Sequence, residues 1–169
     1  QAQSTALEAG MHVGLIADLA VGADASGSQA WGRQAELLQS VSVGAPPDIL
    51  NRSGQNWGVS AFSPQGLQQN GFRAYIEMLR ANLAHAGGMR IDHVMTMRRL
   101  WVIPEGEDSS AGAYLNYPSQ DLLRLLCLEA ERHRALIIGE DLGTVPDGLR
   151  EELACLLYTS DAADDSLRV

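Results

Sequence analysis

Two carboxylates, Asp92 and Glu140, stand out because each directly follows a short apolar segment that begins soon after a helical pattern. Short apolar segments of this kind are typical of buried parallel strands. In α/β barrels the active site lies at the carboxyl ends of the strands, so both acids would lie at the same end of the sheet. Two carboxylates in that position can flank one glycosidic bond, as retaining sugar-transferring enzymes require.

The segments that would position these acids alternate between helix and strand. Helices are predicted at 2–9, at 72–86, from 119 through a Leu-rich run, and from an entry at 144–147; strands are predicted at 12–17, 89–92 and 135–139. Long loops, 20–69 and 95–118, follow the first two strands, whereas the turns from helix to strand are short. Alternation of this kind predicts parallel strands joined by crossover helices.

The loop lengths favour a (β/α)₈ TIM barrel over a doubly wound sheet. Long loops after the strands are typical of a barrel with its site at the carboxyl ends, and no glycine-rich phosphate turn follows any predicted strand. A closed barrel typically needs about 250 residues, whereas the chain has 169. We therefore expect an α/β fold that is a fragment of a (β/α)₈ barrel, with about three of its strands.

Charge and composition disfavour several classes of partner. A formal net charge of −9 and a pI near 4.8 argue against nucleic acid and anionic membranes. No apolar run reaches the roughly 18 residues of a membrane-spanning helix. The first residues, 1–5, include neither Met nor an export signal, so we expect a chain cut at its front. Cys127 and Cys155 lack metal-ligand or CxxC spacing, which fits a reducing, cytoplasmic setting.

Five groups of short segments carry more specific sequence. They are 18–22, 42–48 with 54–58, Arg90-Ile91-Asp92-His93, 99–106 with 112–114, and Gly139-Glu140-Asp141-Leu142-Gly143. In order and spacing they resemble the 4-α-glucanotransferases (amylomaltases, glycoside hydrolase family 77), over roughly residues 11–153. The resemblance implies an enzyme that moves α-1,4-glucan segments between maltooligosaccharides, with retained configuration and through a covalent glycosyl-enzyme intermediate. It implies no metal and no organic cofactor.

The resemblance also implies roles for the acids. Asp92 would be the nucleophile and Glu140 the general acid/base, while Asp18, at the end of the first strand, would contact the donor sugar. Arg90 precedes Asp92 by two residues, so both side chains leave the same face of the strand and the guanidinium would favour the ionised carboxylate. Purely structural interpretations remain open: an Arg90–Asp92 pair that closes the barrel mouth, and turn or loop carboxylates at Asp18 and Glu140.

Gln55, Asn56 and Trp57 resemble the family's mobile loop over the acceptor side. An indole offers an apolar face to a glucose ring, and amides offer hydrogen bonds to its hydroxyls. An ordinary packed loop aromatic is the alternative for Trp57. Trp101 and Tyr114 fit core packing and sugar contact equally well.

Three other functions are weighed against transfer. An α-glucan hydrolase of the wider α-amylase group would use the same acids with water as acceptor, although the loop at 55–57 favours sugar. A non-catalytic glucan-binding module would not need paired acids. A metal-dependent hydrolase could use His93 beside Asp92, but the spacing matches no zinc motif and neighbouring strand residues face opposite sides.

The end of the chain departs from the family pattern. The resemblance implies a third carboxylate on a later strand, which would lie beyond Leu153. From Cys155 onwards the residues resemble the translation of a sequencing adapter. We therefore expect 1–154 to be a partial catalytic barrel with inserted loops and 155–169 not to be native, so that the chain alone would be inactive.

Overall fold

A computed structural model describes residues 1–49, 51–141, 145–154 and 158–159. Its helices are α1 (Ala2–Glu8), α2 (Ser28–Gly32), α3 (Pro64–Gln69), α4 (Arg73–Leu83), α5 (Ser119–His133) and α6 (Leu149–Ala154), with 3₁₀ turns at Gln34–Glu36, Val94–Met97 and Ser109–Ala111. Its strands are β1 (Ile16–Leu19), β2 (Ala23–Asp24), β3 (Val41–Ala45), β4 (Gln55–Asn56), β5 (Val59–Ser60), β6 (Gly88–Ile91), β7 (Arg99–Pro104), β8 (Ala113–Asn116), β9 (Leu136–Gly139) and β10 (Tyr158–Thr159).

The chain divides into two compact units. The parallel unit comprises Gln1–Ala20, Ile76–Met95 and Gln120–Val169, and the antiparallel unit comprises Val21–Tyr75 and Thr96–Ser119. We name each after the strand pairing that dominates it. The acids at strand ends belong to the parallel unit, whereas the segment at 55–57 belongs to the antiparallel unit.

The parallel unit is built on one sheet of order β1–β6–β9–β10, in which every pair is parallel. Met89 and Ile137 are buried in its central strands, as a parallel sheet covered by helices requires. The helices before β6 and β9 supply buried leucines to this unit: Leu79, Leu83, Leu122, Leu123 and Leu126. The predicted parallel α/β arrangement is confirmed, with strands at nearly the predicted positions.

Two predicted boundaries are wrong, and left-handed backbone explains both. The first strand begins at Ile16 rather than at residue 12 and includes Asp18. Gly14, with φ of 77°, interrupts the extended backbone before it. The helix predicted from residue 72 begins at Arg73, because Phe72 has φ of 58° and so cannot continue a right-handed helix.

The antiparallel unit corrects the prediction of two long loops at 20–69 and 95–118. Those residues form a sheet of order β4–β3–β7–β8 and a separate β2–β5 pair, all antiparallel. A small core of Val43, Ala61 and Leu100 lies within this unit. Strands of two to six residues with Gly and Ser in them carry little alternation, which is why they were interpreted as loops.

The last described segments bear on the predicted end of the native sequence. Helix α6 begins at Leu149, so Pro146 precedes the helix, and Thr144 lies outside the described residues. Strand β10 pairs with β9, whereas Cys155 and residues 160–169 also lie outside the described part. The adapter interpretation therefore stays a prediction, which resequencing the gene across codon 155 tests. Within the described ranges, no helix has the length and apolar character needed to cross a membrane.

Candidate active site

An arginine joins the first two strands of the parallel sheet through their acidic residues. Asp18 on β1 is in register with Arg90 on β6. Arg90 Nη1 donates to Asp18 Oδ1 at 2.9 Å and to Asp92 Oδ1 at 3.0 Å. The side chains of Asp18 and Asp92 are 68% and 43% exposed, so both carboxylates are paired and still accessible to a ligand.

The guanidinium stays charged in this setting. The pKa of Arg90 is raised chiefly by its hydrogen bond to Asp18, and the hydrogen bond to Asp92 adds to this, although partial burial acts in the opposite direction. The backbone also fixes Asp92, because its N–H donates to Leu19 O at 3.0 Å. The arrangement therefore holds Asp92 by its backbone and one carboxylate oxygen, just beyond the end of β6.

Glu140 follows β9, the neighbour of β6, and is only 6% exposed. Its carboxylate Oε2 accepts a hydrogen bond from the backbone N–H of His93 at 2.8 Å. Its own N–H donates to Ile91 O at 2.9 Å, and its carbonyl accepts from Val94 N–H at 2.8 Å. Glu140 is thus fixed at backbone and side chain by residues that flank Asp92.

His93 contributes through its backbone rather than through its ring. It has φ of 52°, the left-handed region that non-glycine residues adopt infrequently. Burial lowers the pKa of its imidazole, against the opposing effect of the negative charges of Glu140 and Asp92. Sequence reasoning considered this residue only as a metal ligand, and in the described residues no group of three or more His, Cys, Asp or Glu side chains is placed to hold a metal ion.

Asp141, the other acid of its segment, has a different partner. Arg150 Nε donates to Asp141 Oδ2 at 2.7 Å, and this bond links the end of β9 to the second residue of α6. The structural interpretation offered for Glu140, a loop carboxylate serving the following turn, therefore describes Asp141 better.

The segment at 55–57 is well anchored within the antiparallel unit. Trp57 N–H donates to Val43 O at 2.9 Å, and the indole Nε1 donates to Gln55 Oε1 at 3.0 Å. Asn56 Oδ1 accepts from Ser42 Oγ at 2.6 Å. Trp57 is half-buried against the core of this unit, whereas Gln55 and Asn56 are exposed. A sugar-contacting role for these three residues stays a prediction.

Trp101 and Tyr114 pack against each other in the same unit. Their rings meet edge to face, with centroids 5.0 Å apart and planes at 75°. Trp101 Nε1 donates to Ser109 O at 3.0 Å, and the guanidinium carbon of Arg99 lies 4.1 Å from the Tyr114 ring centre. These contacts account for both aromatics as packed residues of the β7–β8 hairpin.

The geometry in the parallel unit supports one kind of chemistry. An accessible carboxylate beside a permanent cation can act as a nucleophile, and a buried carboxyl group on the next strand can exchange protons. The sequence indicated both acids and Arg90 correctly as strand-end neighbours. It gave no signal for the His93 N–H that holds Glu140, because a backbone conformation of this kind leaves no mark in residue spacing.

Comparison with known proteins gives one consistent result. The family model described as 4-alpha-glucanotransferase, glycoside hydrolase family 77, matches residues 1–160. The 4-alpha-glucanotransferases of Mycobacterium bovis and Haemophilus influenzae are each 43% identical to the chain, over 90% and 89% of it. These matches cover 21% and 22% of the two relatives, so the chain spans about a fifth of their length.

Solved structures agree with the fold. The amylomaltase of Corynebacterium glutamicum has a TM-score of 0.90 and 39% identity, covering 93% of the chain and 22% of that protein. The Streptococcus agalactiae amylomaltase, solved with acarbose, has a TM-score of 0.73 at 21% identity, over 83% of the chain and 30% of that protein, and supports the fold alone. The predicted fold class and the predicted family are both confirmed. The chain belongs to the 4-alpha-glucanotransferase family, glycoside hydrolase family 77.

Proposed function

We propose that the whole protein containing this chain is a retaining 4-α-glucanotransferase that transfers α-1,4-glucan segments between maltooligosaccharides. Residues 1–154 would form part of its catalytic barrel. One observation carries the proposal: Asp92 and Glu140 follow neighbouring parallel strands, and the residue between them in space, His93, donates its N–H to Glu140. Membership of a family described by this activity supports the same conclusion.

In the first half of the reaction, a donor glucan lies with its anomeric carbon over Asp92. Glu140 in its acid form gives a proton to the glycosidic oxygen as the Asp92 carboxylate attacks the anomeric carbon. The glycosidic bond breaks, the shortened glucan leaves with the proton, and the transferred segment is bound to Asp92 as an ester with inverted configuration.

In the second half, the roles of the acids reverse. The Glu140 carboxylate takes the proton from the 4-hydroxyl of an acceptor glucan, whose oxygen attacks the anomeric carbon and releases Asp92. The second inversion restores the original configuration. A sugar hydroxyl gives transfer at this step, and water gives hydrolysis, so the outcome depends on which of them reaches the ester.

Neighbouring residues would assist these steps. Arg90 orients Asp92 through the 3.0 Å hydrogen bond and keeps a positive charge beside it. Asp18, largely exposed and held on its other side by the same guanidinium, would accept a hydrogen bond from a donor-sugar hydroxyl. The exposed amides of Gln55 and Asn56, with Trp57, would favour a sugar acceptor over water.

Azide rescue tests the two roles separately in the whole protein. With an α-maltosyl fluoride donor, the leaving group needs little acid assistance, so azide can replace either missing carboxylate. In Asp92→Ala, azide attacks in place of the nucleophile and yields the β-glycosyl azide. In Glu140→Ala, Asp92 forms the ester first, and azide then attacks it to yield the α-glycosyl azide. The anomeric proton resonance distinguishes these products.

Asp141→Ala is the matched control, because this carboxylate is adjacent in sequence and bound to Arg150. It should keep wild-type transfer and give no azide product above the wild-type level. The α-azide from Asp92→Ala, or the β-azide from Glu140→Ala, would contradict the assigned roles. Free glucose as the main product at saturating acceptor would favour the hydrolase, and activity in neither variant nor wild type would favour a binding module.

A further inference from the structure

A polar pocket lies wholly within the antiparallel unit and uses none of the carboxylates of the parallel unit. Its volume is about 470 Å³, within the range of roughly 300–1,000 Å³ that is usual for small-molecule sites. We call it the Trp31 pocket. The lining residues that matter here are Trp31, Gln34, Gln39, Ser42, Asn56 and Glu105.

The walls of the Trp31 pocket are fixed by hydrogen bonds. Leu38 N–H donates to Ala61 O at 2.8 Å, and Ser60 Oγ donates to Leu38 O at 2.9 Å. On the opposite wall, Glu105 N–H donates to Ser40 O at 3.0 Å. Because backbone groups hold both walls, the pocket is formed before any ligand arrives, which lowers the entropic cost of binding.

The chemistry of the lining indicates a neutral ligand with many hydroxyl groups. The lining offers amides, hydroxyls and one carboxylate, which can donate to and accept from sugar hydroxyls. None of the described lining residues is Arg, Lys or His, so an anionic ligand such as a phosphate would find no countercharge. The exposed carboxylate of Glu105 would repel such a ligand further.

Trp31 supplies the apolar surface that a sugar ring needs. It lies on the short helix α2 and is 83% exposed, far more than the half-buried Trp57. An aromatic face can pack against the C–H groups of a pyranose ring, while polar groups beside it bind the hydroxyls at the ring edge. An exposed indole at the rim of a preformed polar pocket therefore suits a carbohydrate chain.

We propose that the Trp31 pocket binds an α-glucan chain and gives the protein a second glucan-binding site. The identification of the carbohydrate as an α-glucan rests on the proposed function, whereas a neutral carbohydrate ligand follows from the pocket itself. The site adds affinity for glucans, and it takes no part in breaking the glycosidic bond.

Calorimetric titration of the whole protein with maltoheptaose tests the proposal. An Asp92→Asn background prevents turnover, and we expect two classes of binding site. Trp31→Ala should weaken one class by at least about tenfold, since it removes the aromatic surface. Trp31→Phe, which keeps an aromatic face, should restore most of that affinity. Ile49→Ala is the matched control, because Ile49 is 96% exposed and lies outside the pocket, and it should leave both classes unchanged.

Further arms separate the possible sources of an effect. Binding to a neutral sugar should be insensitive to salt between low and moderate ionic strength, and inorganic phosphate should not compete. A single class of site in the Asp92→Asn background, or equal affinities in Trp31→Ala and Ile49→Ala, would overturn the pocket. A Trp31→Ala protein with altered thermal stability or oligomeric state but unchanged glucan affinity would also overturn it, since the indole would then serve protein packing.

The two proposals fail in different ways. Full turnover by Asp92→Asn would refute the proposed function, and the titration of Trp31→Ala in a protein that binds maltoheptaose would still report on the pocket. An inactive Asp92→Asn protein whose glucan affinity does not depend on Trp31 would refute the pocket alone.

Discussion

The parallel unit contains two clusters in which arginine meets carboxylate, and they differ in how much water reaches the acid. Between α4 and α5, Arg80 makes two hydrogen bonds of 2.9 Å to Glu129, and Arg132 makes one of 2.6 Å. The Glu129 side chain is 1% exposed. At the strand ends, Arg90 bonds to Asp18 and Asp92, whose side chains remain 68% and 43% exposed.

The difference separates a structural cluster from a reactive one. The pKa of Glu129 is lowered, chiefly by its hydrogen bonds from Arg80 and then by those from Arg132, so the carboxylate is charged and its bonding capacity is used within the protein. The strand-end cluster places one guanidinium against two carboxylates that a ligand can still approach. Similar residue types therefore serve helix packing in one place and chemistry in the other.

The largest effect is expected from Asp92→Asn in the whole protein. Transfer from maltotriose should fall by several powers of ten, on the order of 10⁴, because the nucleophile is lost while the shape of the side chain is kept. The melting temperature should hardly change, since the carboxylate is accessible and not a packing element. A coupled glucose assay and a thermal melt check both results, and near-normal glucose release would show that Asp92 is not the nucleophile.

Exchanging the two arginines one at a time sharpens the comparison. Arg90→Gln should lower kcat by roughly 10²–10³, the usual cost of losing a positioned charged donor, with little change in melting temperature. Arg80→Gln should do the reverse: it should lower the melting temperature and keep kcat within about twofold. If Arg80→Gln lost activity while keeping its melting temperature, the division between structural and reactive clusters would be wrong.

The reactive cluster was predictable from sequence because its positions follow from strand periodicity. Arg90 and Asp92 are two residues apart, and parallel strands bring their carboxyl ends to one edge, so Asp18, Asp92 and Glu140 had to converge. The predicted strand 135–139 differs from β9 only in its first residue. Periodicity and strand polarity were sufficient for this part of the molecule.

The antiparallel unit was not predictable, because its pairing is long-range. Strand β3 pairs with β7 through partners such as Ser42 and Ile103, about sixty residues apart in the chain. Within β3, Ser42 and Gly44 interrupt the apolar pattern, and a side chain at Gly44 would meet the carbonyl of Gln55 on β4. Only the folded sheet shows that this glycine is required for close approach of two strands.

The Glu129 cluster was also missed, although its members are visible in the sequence as helix residues. We expect Glu129→Gln to lower the free energy of unfolding by on the order of 2 kcal/mol, since it weakens several charge-assisted hydrogen bonds in a buried position. Glu131→Gln, an exposed neighbour on α5, should stay within about 0.5 kcal/mol of wild type. Urea denaturation monitored by circular dichroism measures both.

The pH dependence of that difference follows from the direction of the pKa shift. Because folding lowers the pKa of Glu129, its contribution to stability is fully present above the unfolded value, about 4.3. It is lost as pH falls through the lower, folded pKa. The gap between wild type and Glu129→Gln should therefore persist at neutral pH and narrow below about pH 4. A gap that widened on acidification would contradict the assignment of a charged Glu129.

The smallest effect concerns the backbone that connects the two catalytic acids. His93 has φ of 52° and directs its N–H to Glu140, a conformation that asparagine tolerates and β-branched residues resist. Both His93→Asn and His93→Val remove the imidazole, so their ratio isolates the backbone. We expect kcat of the Val variant to be about tenfold lower than that of the Asn variant, matching the roughly 1–2 kcal/mol cost of the left-handed conformation. KM for maltotriose should differ little, because the hydrogen bond orients Glu140 and not the sugar. Equal kcat values in two folded variants would show that the imidazole, and not the N–H, is what the site requires at this position.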